Sequence, residues 1–374
     1  MGSTPLWAYG VLLVAVLAMS SGGVWFALLT ETPPLLQAFW RLILTVAIQV
    51  VGFVHELRSD ASLDAAFWSR FQQNWLLLTI IGMALGVHFG SWGWSVAHTS
   101  LLDSLLLVCS SPLLLVVIMT LRWLYRRFVA PNAAQDTKND RAPRETDDLL
   151  ATEQPSSPSL FHLIVCPLNP VPPTWLEVIG AVVGFSGVLV LLISSPTSEE
   201  GHDVTLAGNA AALLGALAIL LYLEGGAGCR KWMPLFVYAL SVTAIAAIEL
   251  AIASLVFEGT SVWGLEPTSL LGFLGDGRRF GLAFGAAAVS GILGHTCANL
   301  AVKFVSPLVI SVSILWEPLL GSAMGYMVGV QGPPDFSALI AAPLLLIGAF
   351  MVTLGGRPND HQESFTKRVQ SEVA

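Results

Sequence analysis

Charge is what this sequence has least of. Of 374 residues only 11% are Asp, Glu, Lys or Arg, where a soluble globular chain carries about a quarter. That scarcity excludes a disordered chain and an ordinary cytosolic enzyme. The net charge of −8 leaves no basic surface to neutralise a phosphate backbone, so nucleic acid is not an expected partner. Four cysteines with no C-x-x-C pair supply neither a zinc site nor a disulfide framework. Catalytic signatures are missing too. His55-Glu56 begins an H-E pair with no second His at zincin spacing, Leu274-Gly275-Asp276 completes no G-x-G-D, and no G-x-S-x-G or P-loop occurs. Neither an enzyme nor a cofactor is expected.

What the chain has instead is apolar length. Hydrophobic residues make up 55% and the mean hydropathy is +0.73. A spanning helix needs about 20 apolar residues. Ten such runs occur, at 6–29, 34–56, 75–97, 101–124, 175–194, 204–223, 233–257, 280–302, 307–330 and 337–355. Pro5, Pro34, Pro234 and Pro307 mark helix starts, where a missing N–H costs nothing. The first run has no basic leader and stays apolar to Leu29, so it reads as a true span rather than a signal peptide. Fourteen of the 17 Lys and Arg then fall in alternate connections, two (Arg278 and Arg279) in the others, and Arg41 within a helix. By the positive-inside rule both termini face the cytoplasm. Trp7, Trp75, Trp123, Trp175 and Trp232 fall at the inner interface. The plasma membrane and an endosomal or vacuolar membrane both remain open.

The two halves echo each other. Pro34-Leu35 and Ala47-Ile48 recur as Pro234-Leu235 and Ala247-Ile248, at an offset of 200. Ser100, Leu102 and Pro112-Leu113-Leu114 recur as Ser306, Leu308 and Pro318-Leu319-Leu320, at an offset of 206, and Gly187 pairs with Gly348. Five helices per half is an odd number, so the second copy enters the membrane inverted. The expected fold is an all-α polytopic membrane protein of ten transmembrane helices in two inverted five-helix repeats, 6–194 and 204–355, with a cytoplasmic tail at 356–374. Such repeats characterise secondary transporters and put the solute site near the midplane. The first copy carries an insertion at about 129–173. Its stretch 132–159 is rich in charge, Pro and Ser, which predicts disorder. There Glu145, four residues before Leu149-Leu150, resembles an acidic dileucine signal and implies an adaptor complex as a partner beside the lipid bilayer and a small-molecule solute.

Further residues resemble the EamA-type drug/metabolite transporter superfamily. They are Ser20-Ser21-Gly22, then Pro34 and Phe39-Trp40-Arg41-Leu42, then Pro112, and in the second copy 301–307, Glu317-Pro318 and Gly325-Tyr326. The resemblance covers roughly residues 6–355 apart from the insertion. It implies ten helices, inverted repeats and alternating-access transport of a small organic solute. Where that family has Gly-Glu at the outer end of the ninth helix, this chain has Val330-Gln331.

Ionisable side chains are costly in a span and usually mark a pathway. Glu317 lies about 15 Å from the inner end of its helix, near the midplane, as a candidate proton carrier. His88 shares an α-helical face with Ser91, Trp92 and Ser95, and His295 shares one with Asn299 and Lys303. Arg41 cannot lose its charge and needs a carboxylate, carbonyls or an anionic solute; Asp103 matches it in depth, and snorkelling to the surface is the other outcome. Glu249 lies at the repeat position of Gln49. Ser110 and Ser111 align with Trp316 and Glu317. The candidate substrate-binding or coupling set is thus Glu317, His88, His295, Asn299, Arg41, Trp92, Ser111, Trp316 and Lys303. The glycine triplets 82-86-90 and 321-325-329 read as helix-packing seams. The expected activity is secondary transport of a small organic metabolite, with proton coupling through Glu317. A nucleotide-sugar or sugar-phosphate exchanger and a cation channel stand as alternatives.

Overall fold

The computed structural model describes residues 5–60, 62–128, 172–193, 198–199, 202–203, 205–230, 232–301, 305 and 313–355. It is an all-helical membrane protein. Eight of the described helices are long and apolar enough to cross a bilayer, and they fall within a few residues of the runs read from sequence. The insertion with Glu145, Leu149 and Leu150, and the tail beyond Gly355, lie outside the described residues.

The first span is broken at Ser21 into α1 (Leu6–Ser20) and α2 (Gly22–Ala27). α3 (Pro34–Ser59) begins on its proline. A short helix, α4 (Ala65–Gln73), is capped by Asp64 accepting from the Phe67 amide and leads into α5 (Trp75–His98). The sequence reading had assigned no element there. Phe67, Trp68 and Phe71 of α4 form an aromatic cluster with Trp232, over which the Arg70 guanidinium sits at 4.3 Å. The fourth run is two helices, α6 (Leu101–Val108) and α7 (Ser111–Phe128), joined through Cys109 and Ser110. α8 (Trp175–Ile193), a two-residue hairpin of β1 (Ser198–Glu199) and β2 (His202–Asp203), α9 (Leu206–Cys229) and α10 (Leu235–Phe257) follow.

The two remaining runs depart from plain α-helix. Over 280–302 the sequence predicts one α-helix. The structure has α11 (Gly277–Gly285), a π-helix over Ala286–Thr296, and α12 (Cys297–Ala301). Over 307–330 it predicts an unbroken span. The described part instead turns at Leu315-Trp316, and α13 (Glu317–Val328) begins there. α14 (Phe336–Gly355) completes the chain. The start of α7 at Ser111-Pro112 and the start of α13 at Glu317-Pro318 are the positions that the sequence aligned, and both helices restart on a proline that has no N–H to give to the preceding turn.

Glycines set the closest approaches. A Cβ on Gly348 of α14 would run into the backbone nitrogen of Gly184 in α8, and one on Gly180 would sit 2.8 Å from the Gly348 carbonyl oxygen. Backbone meets backbone, so nothing there can yield. Gly348→Val should lower stability by about 1–3 kcal/mol, the cost of overpacking, read as a drop in the melting temperature of the purified protein. The Gly82-Gly86-Gly90 seam packs on α10, against Ile245, Ala246 and Leu250, with the Glu249 carboxylate lodged over Gly86. Gly321 and Gly325 of α13 pack on Leu105 and Leu101 of α6, which sets the two helices antiparallel. Gly329 belongs to no seam. It takes φ 80° and ends α13 in a Schellman motif, with the Val330 amide donating to the Gly325 carbonyl at 2.9 Å and the Gly329 amide to Tyr326 at 3.1 Å. Gln331 folds back and donates to Ser322.

α3 and α10 pair antiparallel and cap each other. The Phe236 and Val237 amides at the start of α10 donate to Glu56 near the end of α3, at 2.9 and 3.0 Å. The Leu35 and Leu36 amides at the start of α3 donate to Glu258 just past α10, at 2.7 and 3.0 Å. Each carboxylate serves the orphan donors and the positive dipole end of its neighbour. Replacing either by Ala should cost about 1 kcal/mol, the usual worth of an N-cap, and thermal melts of the single and double variants measure it. On the facing helices α7 and α9, Arg122 pairs with Glu224 at 2.8 Å.

Candidate functional site

Four irregularities of the fold converge on Arg41. They are the break at Ser21, the π-helix, the Cys109-Ser110 joint and the start of α13. A Cβ on Gly22, directly after the first break, would lie 2.9 Å from Ser290 Oγ in the π-helix, 3.0 Å from the Trp92 ring in α5 and 3.7 Å from Arg41 Nη1 in α3. Glycine is therefore what lets these three elements meet. A Cβ on Gly321, one turn into α13, would lie 2.8 Å from the Ser20 carbonyl oxygen, so α13 joins the same junction.

Arg41 is 2% exposed and does not snorkel. Its guanidinium lies over Phe89 at 4.5 Å, with Trp92 at 5.6 Å and Phe26 at 6.0 Å. Its Nη2 donates to Ser290 Oγ at 3.0 Å. Nε and Nη1 are buried without a hydrogen-bond partner. Cation–π contact with three rings recovers part of the cost of burying the charge, but it satisfies none of those N–H groups. Asp103, the carboxylate expected to answer Arg41, does not do so and is engaged elsewhere. The acid within electrostatic reach of Arg41 is Glu317.

Glu317 opens the first turn of α13, where the helix dipole favours a carboxylate. It is half-buried, and it faces Cys109 across the antiparallel contact with α6. Among the described residues it takes part in no hydrogen bond and no ion pair. Arg41 and Glu317 thus lie within electrostatic reach of each other with no hydrogen bond or ion pair between them.

His88 is buried, and its Nδ1–H donates to the Gly215 carbonyl of α9 at 2.9 Å, which fixes the orientation of the ring. Its ring meets Phe89 edge-on at 4.9 Å. His295 ends the π-helix and meets the other side of the cluster, edge-on to Phe89 at 6.0 Å. Both imidazoles lie within electrostatic reach of Arg41. Trp92 is 5% exposed, packs on Phe26 at 5.3 Å, and has an Nε1–H without a partner.

The structure therefore assembles Arg41, Glu317, His88, His295 and Trp92 from the expected set. Two members are corrected. Ser111 donates to the carbonyls of Val108, at 3.1 Å, and Ala216, at 3.4 Å, so its hydroxyl is spent on the α6–α7 joint and on α9. Trp316 is 58% exposed, at the turn before α13. Neighbouring residues on a helix diverge by about 100°, so Trp316 cannot share the direction of Glu317. The Asn299 side chain and Lys303 lie outside the described residues. The π-winding ends at Thr296 and α12 follows, so the change of period falls before Asn299. Phe26, Phe89, Ser290 and Cys109 join the site without having been singled out. Only Ser290 left a trace, five residues before His295, which is one turn of a π-helix but not of an α-helix.

A fixed cation, a protonatable carboxylate and a wall of aromatic rings can together hold a small organic ion and exchange a proton with it. No protein-family model and no curated protein matches this chain. Among solved structures, one described only as the crystal structure of a protein is similar in fold, with a TM-score of 0.50 and 18% identity over 93% of this chain and 97% of that chain. At that identity the likeness speaks to the fold alone.

Proposed function

We propose that this protein is a secondary transporter of a small organic metabolite, working by alternating access, with ten membrane-crossing helices in two inverted repeats and both termini in the cytoplasm. The observation that carries the reading is Arg41, a buried cation with two unpartnered nitrogens, within electrostatic reach of Glu317, a carboxylate with no hydrogen bond among the described residues, at the point where helices break. Broken helices whose half-helix ends face a mid-membrane site are how transporters bind charged solutes without a polar surface. The pairing of helices supports the inverted repeat. α3 packs on α10 and α8 on α14, each helix with its counterpart. α1 packs on the π-helix as α9 packs on α5, the same contact with the copies exchanged. The reciprocal caps of Glu56 and Glu258 obey the same exchange. Together with the motifs quoted above, these pairings support kinship with the EamA-type transporters. Glu317 carries the coupling proton in this reading.

The test is solute counterflow. Solutes that raise the melting temperature of the purified protein are loaded into proteoliposomes, and entry of labelled solute from outside is followed. A transporter shows uptake accelerated by internal solute and no single-channel conductance in planar bilayers. Conductance without that acceleration assigns the chain to the channels.

A further inference from the structure

The unspent donors of Arg41 also say what belongs beside them, given the transporter reading. Arg41 is the one fixed cation that the described residues bring to the junction, and two of its three nitrogens lack any partner. A buried cation without a counter-charge is strongly disfavoured, yet no described carboxylate closes on it. Glu317 supplies charge from a distance without a hydrogen bond. A planar carboxylate matches the unused donors, since guanidinium N–H groups and carboxylate oxygens form short, charge-assisted bonds. The surroundings define the rest of the solute. Phe26, Phe89 and Trp92 ring the guanidinium with flat apolar faces, which suit an apolar or aromatic body. The one unused polar group that these three rings bring, Trp92 Nε1–H, is a donor, as an anion requires.

We propose that the solute is a monocarboxylate with a flat apolar body, held by Arg41, and that it enters together with one proton that neutralises Glu317. Arg41 tolerates one negative charge. With the site empty, ionised Glu317 provides it without a hydrogen bond. When a solute carboxylate arrives, a second negative charge beside one cation is unfavourable, and Glu317 takes up a proton. No bond is made or broken beyond that protonation, so the loaded site is electrically balanced. The titratable groups facing Glu317 are Cys109 at the end of α6, Asp103 further along α6, Arg41 from α3, and beyond Arg41 the imidazoles of His88 in α5 and His295 in the π-helix. α1 and α2 also pack on α13; α1 brings Tyr9, exposed and in its first turn, and α2 brings none. A dianion leaves one charge uncompensated, and a zwitterion sets an ammonium beside the guanidinium, so both bind more weakly.

The experiment titrates the purified full-length chain with 3-phenylpropanoate, phenylalanine, phenethylamine and phenyl phosphate at acid, neutral and mildly alkaline pH, reading tryptophan fluorescence. Phenylpropanoate should bind best, with an affinity that rises as pH falls, by up to about tenfold per unit, because the proton removes Glu317 as a competitor. Glu317→Gln should bind it with the acid-side affinity at every pH. Arg41→Met should not bind it, while melting within a few degrees of wild type. Tighter binding of any of the other three probes, an affinity indifferent to pH in the wild type, or full binding by folded Arg41→Met overturns the proposal. Counterflow keeps the two readings apart. Counterflow of an organic cation leaves a transporter whose solute class is misassigned. Phenylpropanoate binding with the expected pH dependence, but without counterflow, leaves the site assignment standing and removes transport.

Discussion

Arg41→Met should abolish transport and leave the protein at least as stable as it was. A buried charge that does not meet an ion-pair partner is a net cost to folding, and a well-packed apolar residue of similar length is commonly neutral or stabilising in its place. Arg41 gains its bond to Ser290, its ring contacts and the attraction of a Glu317 that makes no hydrogen bond to it, and a methionine keeps contact with the same rings. A structural arginine behaves in the opposite way, because its loss strands a partner and lowers the melting temperature. Affinity for the transported solute should fall by about 10–100-fold for each charge-assisted hydrogen bond removed, at about 1.5–3 kcal/mol per bond. Arg41→Lys should recover part of it, because the charge survives and the planar fork does not. Melting curves and counterflow on the same preparation decide between the two roles.

Glu317→Gln should uncouple transport without stopping it. In a one-proton symport of a monoanion, a pH difference of one unit sustains about a tenfold gradient of solute. The amide introduced by this substitution is a permanent mimic of the protonated acid. It accepts and releases no proton, so accumulation against a gradient should vanish while exchange of internal for external solute continues. A purely structural Glu317, serving the dipole at the start of α13, would lose stability on this change and keep its pH-driven accumulation. The neighbouring Trp316, which is exposed, gives the control, since Trp316→Leu should leave both accumulation and exchange as they are.

Most of the fold was legible in the sequence because hydropathy is strong and coarse. Eight of the runs long enough to span became helices of that length, and prolines marked the starts of α3 and α10 correctly. Glycine triplets identified two seams, since only small residues let backbones meet, and failed at Gly329, whose positive φ serves a helix end. The site was half legible. Arg41 and Glu317 are conspicuous by their cost inside spans and both belong to it, whereas Glu249, as conspicuous, packs over Gly86 instead. What failed was direction. Carrying Ser111 and Trp316 into the site from a repeat alignment assumed that aligned residues point alike, but a hydroxyl on a helix joint satisfies the nearest carbonyl first. The π-winding of Ala286–Thr296 leaves no mark in hydropathy, so the face that bears Ser290 together with His295 was not visible. The aromatic wall of Phe26 and Phe89 was hidden because such residues are also ordinary membrane packing.

The most direct measurement uses Cys109, which faces Glu317 across the α6–α13 contact. With the other three of the four cysteines replaced by serine, a membrane-impermeant thiol reagent is applied to one face of oriented vesicles and then to the other. Alternating access predicts that Cys109 reacts from both faces, and that saturating solute changes the two rates in opposite directions. Reaction from one face only, at a rate that solute leaves unchanged, would contradict the account.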